Sequence, residues 1–184
     1  MKIVVLDRDG VINQDSDDYI RSAEEFVPIA GSIEAIAKLS NAGFIVTVAT
    51  NQSGLARGYF DSDRLSEMHH LLCSMVEEAG GKIDGIFFCP HLPTDNCDCR
   101  KPKTGLLEQI EREFACKLQG SYFVGDSLKD IKAAEAFGCL PILVRSGKGQ
   151  LTEQSLMLEH ETTVQVFDRL SEAAQFILEF SKHD

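Results

Sequence analysis

Positive charge is scarce in this chain. Eighteen lysines and arginines face 29 aspartates and glutamates, for a net charge of −11. That balance argues against nucleic acid or an anionic membrane as a main partner, because both would be repelled. It leaves room for a phosphorylated substrate, since a metal ion or a local Lys/Arg pair opposes the global field. No apolar run approaches the roughly 20 residues that a membrane-spanning helix needs. Met1-Lys2 leads into charges at positions 7 and 8 with no long apolar stretch between. A secretory leader is therefore not expected, and the cytoplasm is the expected compartment. There the six cysteines are expected as thiols or metal ligands rather than disulfides. Repeats and low-complexity linkers are also missing. A single domain over residues 1–184, acting as a monomer, is expected, and it is large enough to bury its own core.

What the chain does have is an alternation of strand and helix patterns. Ile3–Leu6, Phe44–Ala49, Ile83–Cys89, Tyr122–Val124, Pro141–Val144 and Val164–Phe167 are short apolar runs of the buried-strand type. Helical spacing covers Ile33 to Leu39, then roughly 62–79 with Asp61 as N-cap, then 105–114, 128–137 and 171–180. The pattern predicts an α/β three-layer sandwich on a mainly parallel, Rossmann-like sheet. In such sheets ligands bind where the strands end.

The informative polar residues all follow strands. Asp7 and Asp9 end the first, Thr50 and Asn51 the second, Cys89 and His91 the third, and Asp126 the fourth. Alternation along an extended chain puts Asp7 and Asp9 on one side and turns Arg8 away. A hard cation such as Mg²⁺ takes oxygen ligands from one or two carboxylates, water and phosphate. Asp7 and Asp126 suit that role, with Asp9 giving a carboxylate or main-chain oxygen. A phosphate ester resists attack through its own charge, so its site needs donors and cations. Thr50, the Asn51–Gly54 turn and the Arg100-Lys101-Pro102-Lys103 cluster supply them.

A second metal is indicated by Cys89, His91, Cys97 and Cys99, spaced C-x-H-x₅-C-x-C. Three thiolates and one imidazole close a tetrahedral zinc site with no position left for water, so this zinc is expected to be structural. It would order a proline-containing loop and deliver Arg100 and Lys101. Cys73, Cys116 and Cys139 read as core thiols, and His69 and His70 as surface or packing residues.

The ordered set DRDGVIN, VATNQSG, RKPKTG and VGDSLKD resembles the four motifs of the haloacid dehalogenase superfamily of phosphatases. The resemblance implies an aspartyl-phosphate mechanism without a large cap domain. It makes Asp7 the nucleophile and Asp9 the general acid/base. It gives Thr50 and Asn51 to phosphate orientation, Lys101 to the transferring group and Asp126 to Mg²⁺. For Asp130 two roles stay open, support of the site from behind and a solvated or helix-capping place. A zinc loop followed by CRKPK is similar to two branches of the superfamily, the heptose bisphosphate 7-phosphatases and the histidinol-phosphate phosphatases. NQSGLARGYF and VRSGKG resemble the first, which implies a role in lipopolysaccharide core precursor synthesis. On that likeness Asp15, Asp18, Asn51, Gln52, Ser53, Arg57, Arg100 and Ser127 would face a phosphorylated sugar. Ser127 stands where some members have lysine, and Thr104 replaces a common proline. A catalytically inactive zinc-ordered binding protein is the reading from another class.

Overall fold

A computed structural model of the protein describes residues 2–158 and 164–181. β1 (Lys2–Leu6) runs down the middle of a six-stranded sheet. β2 (Phe44–Asn51) and β3 (Gly85–Cys89) extend it to one side. β4 (Tyr122–Gly125), β5 (Leu140–Val144) and β6 (Gln165–Phe167) extend it to the other. Every ladder is parallel, with Val4 opposite both Val46 and Tyr122. The expected sheet is thus present and wholly parallel.

Side-chain alternation divides the core in two. Val4, Leu6, Val46, Val48, Val124, Ile142 and Val144 pack under α1 (Ser32–Asn41), α2 (Ser62–Glu78) and α6 (Leu170–Phe180). Ile3, Val5 and Phe123 pack on the other face, under α3 (Gly105–Phe114) and α4 (Leu128–Phe137). These two faces make the three layers. Asp61 caps α2 as expected, its carboxylate accepting from Arg64 N at 2.9 Å.

Two details depart from the sequence reading. β3 starts at Gly85 rather than Ile83, because the Asp84 carboxylate takes the Val46 N–H at 2.9 Å in place of a strand carbonyl. A helix absent from the reading, α5 (Gly149–Leu158), buries Thr152 and Leu156 while leaving Leu151, Met157 and Leu158 exposed. Its apolar residues form no single stripe, so periodicity could not reveal it.

Neither side of β1 is capped by a further domain among the described residues. The stretch from β1 to α1 holds one short 3₁₀ turn and the isolated bridges Asp9–Asn13 and Asn13–Pro28, and that from β3 to α3 holds one short 3₁₀ turn. No helix of the described residues is long and apolar enough to cross a membrane. The strand order reverses between β1 and β4, which opens a crevice at their C-terminal ends.

Candidate active site

Asp7 leaves β1 at that crevice, held by its main-chain N–H on Val124 O at 2.9 Å. Asp126 leaves β4 beside it, and Asp130 follows in the first turn of α4. Carboxylate oxygens from these three acids lie within 4.8 Å of one another. Lys101 Nζ closes the group, at 2.9 Å from Asp7 Oδ1, 2.6 Å from Asp130 Oδ1 and 2.7 Å from Ala49 O. Asp130 therefore stands inside the acidic cluster. Ser127 N and Oγ fix its second oxygen at 3.1 and 2.7 Å.

Burial, and then the charge of Asp130, pushes Asp7 well above the usual carboxylate range, against the pull of Lys101. Burial and Asp130 likewise push Asp126 up to about 7. Burial disfavours the Lys101 ammonium, but Asp130 and Asp7 outweigh it and hold its pKa above the ordinary lysine value. Three buried acids against one ammonium leave an excess of negative charge on closely spaced hard oxygens. A divalent cation such as Mg²⁺ fits that deficit.

The backbone around Asp126 leaves no slack. Gly147 has φ +59°, and a Cβ there would sit 2.2 Å from Asp126 Oδ2 and 2.5 Å from Gly10 Cα. The next residue, Lys148, donates its main-chain N–H to Asp126 Oδ2 at 2.8 Å. Gly147→Ala is expected to push Asp126 off its position and weaken Mg²⁺ binding by about tenfold or more. Titrating Mg²⁺ against both turnover and melting temperature checks this. An unchanged Mg²⁺ requirement would contradict it.

Asp9 is held differently. Arg8 reaches its Oδ1 with Nε at 3.0 Å and Nη2 at 2.9 Å, and its Oδ2 with Nη2 at 3.1 Å. Asn13 Nδ2 donates to Oδ1 and Gln52 Nε2 to Oδ2, both at 2.8 Å. Burial opposes the charge, yet Arg8 and these amides hold the carboxyl below its ordinary pKa. The carboxylate of Asp9 is therefore outside the acidic cluster, which leaves its main-chain oxygen as the part to offer a metal. Arg8 does turn away from Asp7, but into the protein, where it is fully buried.

A cleft of about 390 Å³ opens over these groups. Asp7, Asp9, Thr50, Lys101, Asp126 and Asp130 line it, together with Asp15, Ser53, Arg100 and Ser127. Gln52 Nε2 donates to Thr50 Oγ1 at 2.9 Å, so the Thr50 hydroxyl keeps its own hydrogen to give away. Asn51 uses its amide on the main chain of Lys101, donating to its O and accepting from its N at 3.1 Å each. It borders the cleft but orients Lys101. Asp18 and Arg57 do not line the cleft. The Arg57 guanidinium lies over the Tyr19 ring, 6.0 Å from its centre, and Tyr19 lines the cleft. Lys148, its Nζ 3.3 Å from Asp15, also lines the cleft. The VRSGKG stretch drew attention to that segment without giving its lysine a role.

The four zinc-type ligands meet beside this cleft. Cys89 Sγ lies 3.6 Å from both Cys97 Sγ and His91 Nδ1. Cys99 Sγ lies 3.6 Å from Cys97 Sγ and 3.3 Å from His91 Nδ1. A tetrahedron with Zn–S near 2.3 Å has edges of about 3.8 Å, so the donor set fits zinc closely. Arg100 Nη1 donates to His91 O at 3.3 Å, which ties the chain leading to Lys101 to the loop.

Comparison with known proteins places this geometry. The HAD-hydrolase-like family profile matches residues 98–173. The D-glycero-β-D-manno-heptose-1,7-bisphosphate 7-phosphatase of Neisseria meningitidis is 48% identical over 97% of this chain and 96% of its own. That of Pseudomonas aeruginosa is 51% identical over 96% and 98%. The crystal structure of D,D-heptose 1,7-bisphosphate phosphatase from B. bronchiseptica, complexed with magnesium and phosphate, superposes with a TM-score of 0.91. It is 43% identical, covering 98% of this chain and 99% of that one.

Proposed function

The chain belongs to the D-glycero-β-D-manno-heptose-1,7-bisphosphate 7-phosphatase family of HAD-like hydrolases, and from that membership and the geometry above we propose that it removes the 7-phosphate of the β-heptose bisphosphate. The observation that carries the proposal is Lys101, buried between Asp7 and Asp130 with Asp126 alongside. A binding protein gains nothing from burying that many charges, whereas phosphoryl transfer needs each of them.

Asp7, Asp126, Asp130 and the main chain of Asp9 would hold Mg²⁺, which supplies positive charge to the phosphate oxygens. Asp7 Oδ1 is fixed by Arg8 N at 2.7 Å and by Lys101 Nζ. We assign the attack to its other oxygen. As that oxygen bonds to phosphorus, the bond from phosphorus to the sugar oxygen breaks. Asp9 gives its proton to the departing sugar oxygen. Asp9, now a carboxylate, takes a proton from water. The water oxygen displaces Asp7 from phosphorus and inorganic phosphate leaves. Lys101 and Thr50 donate to the transferring group in both halves. The hold of Arg8 on Asp9 corresponds to the base form, so reprotonation goes with release from Arg8.

The proposal includes a structural zinc at Cys89, His91, Cys97 and Cys99, action in the cytoplasm and a part in making heptose precursors of the lipopolysaccharide core. Turnover of the β and α heptose bisphosphates and of histidinol phosphate, compared with Mg²⁺ present, tests the substrate. The β-bisphosphate is expected to have the highest kcat/KM, by about tenfold or more over the others. Preference for histidinol phosphate would move the chain to the neighbouring branch.

A further inference from the structure

His69 lies on α2, outside the four motifs, and is half-buried. Its Nε2 is 3.4 Å from Arg8 Nη1, and its ring is tilted against Phe88 with centroids 5.8 Å apart. Arg8 is the residue that grips Asp9. Its Nε and Nη2 edge is occupied by both Asp9 oxygens and, at 3.2 Å, by Gln52 Oε1. The Phe26 ring lies 5.9 Å from the guanidinium carbon. What remains to be fixed is the Nη1 side, and His69 is the acceptor found there. A planar guanidinium anchored on both edges cannot swivel about its stem.

We infer that His69 is a positioning residue for the reaction: its Nε2 accepts from Arg8 Nη1 and so sets the plane in which Arg8 presents Asp9 to the cleft. The inference rests on the proposed role of Asp9 as acid and base. An imidazolium could not do this, since it has no acceptor and would add charge beside Arg8. Burial, then the Arg8 charge, lowers the His69 pKa to about 4, so the ring is neutral at working pH. Nδ1 then carries the ring hydrogen. α2 is thereby tied through Arg8 to the end of β1, from outside the lining of the cleft.

Three substitutions of one side chain test this. His69→Phe keeps a ring against Phe88 but offers no acceptor. His69→Gln offers a neutral acceptor of similar reach and loses the ring stacking. His69→Ala loses both. General acid/base catalysis contributes about 10²–10⁴, and a misaligned Asp9 forfeits part of it. His69→Phe and His69→Ala are therefore expected to lose about tenfold or more in kcat with KM within about twofold. His69→Gln is expected to return within about threefold of the parent kcat. Thermal melts of all three are read beside the kinetics.

A parent-like kcat in His69→Phe would overturn the inference. So would failure of His69→Gln to exceed His69→Ala, since packing alone would then account for the residue. Asp9→Asn, run in parallel, separates the two readings. If it keeps normal turnover, the role of Asp9 fails. If it is inactive while His69→Phe is normal, only the role of His69 fails.

Discussion

Asp7→Asn will leave the sheet intact and abolish turnover. The substitution changes one atom at the end of a buried strand whose fold is set by Ile3–Leu6 packing on both faces. It removes the carboxylate charge behind the attack proposed for Asp7, and an amide is no substitute nucleophile. Loss of a nucleophile that works as part of a unit costs on the order of 10⁴–10⁶ in kcat. Stability should not fall with activity. The Asp7 carboxylate is disfavoured by burial and by Asp130 and Asp126, and Lys101 only partly offsets them. Neutralising it relieves that repulsion in metal-free protein while Lys101 keeps Asp130. Phosphate release and a thermal melt on the same sample check both halves. Normal turnover in Asp7→Asn would remove covalent catalysis from the account.

Loss of the proposed zinc comes next in size. Cys99→Ser is expected to purify without a full equivalent of metal, to melt at least about 10 °C lower and to lose most of its activity. The temperature estimate follows from scale. Structural zinc contributes about 10–16 kcal/mol in isolated zinc-finger peptides, and here even about 3 kcal/mol would move a domain of this size by roughly 10 °C. Lys101 itself is held by Asn51, Ala49, Asp7 and Asp130, but the loop from Cys89 to Arg100 that leads to it has little else to hold it. It contains one 3₁₀ turn, exposed polar residues and the anchor where Gly105 lies tight against Asp98 O, 2.6 Å from where a Cβ would be. Activity follows because Lys101 enters the site two residues after Cys99. Its Nζ reaches Asp7 and Asp130 only while that loop is in place. Metal analysis of parent and variant, alongside melts, checks the prediction. A Cys99→Ser protein with unchanged melting temperature and rate would contradict the loop's role.

The strands and the acids at their ends were legible because each depends on a few adjacent residues. An apolar run followed by a polar residue places Asp7, Thr50 and Asp126 at one sheet edge whatever the rest of the chain does. The Cys89, His91, Cys97 and Cys99 cluster was legible for a like reason, since four such donors within eleven residues restrict the options. What the sequence hid depends on long-range contacts. α5 buries only isolated residues, so no stripe marks it. Asp130 looked like a helix cap and is one, but Lys101 draws its other oxygen into the acidic cluster. Asn51 was expected on phosphate and is used on the Lys101 main chain, 50 residues away. Arg57, expected at the sugar, lies over the Tyr19 ring and outside the lining of the cleft. His69 meets Arg8 only because α2 packs over the end of β1, a relation no local spacing encodes.

The central claim is that Asp7 carries the phosphoryl group during turnover. Borohydride reduces an acyl phosphate to an alcohol, so trapping during steady-state turnover followed by peptide mass mapping reads the claim directly. With substrate and Mg²⁺ present, Asp7 should be converted to homoserine, in step with loss of activity, and without substrate it should not. An unmodified Asp7 in enzyme that is turning over, or conversion of another acid in its place, would contradict the account.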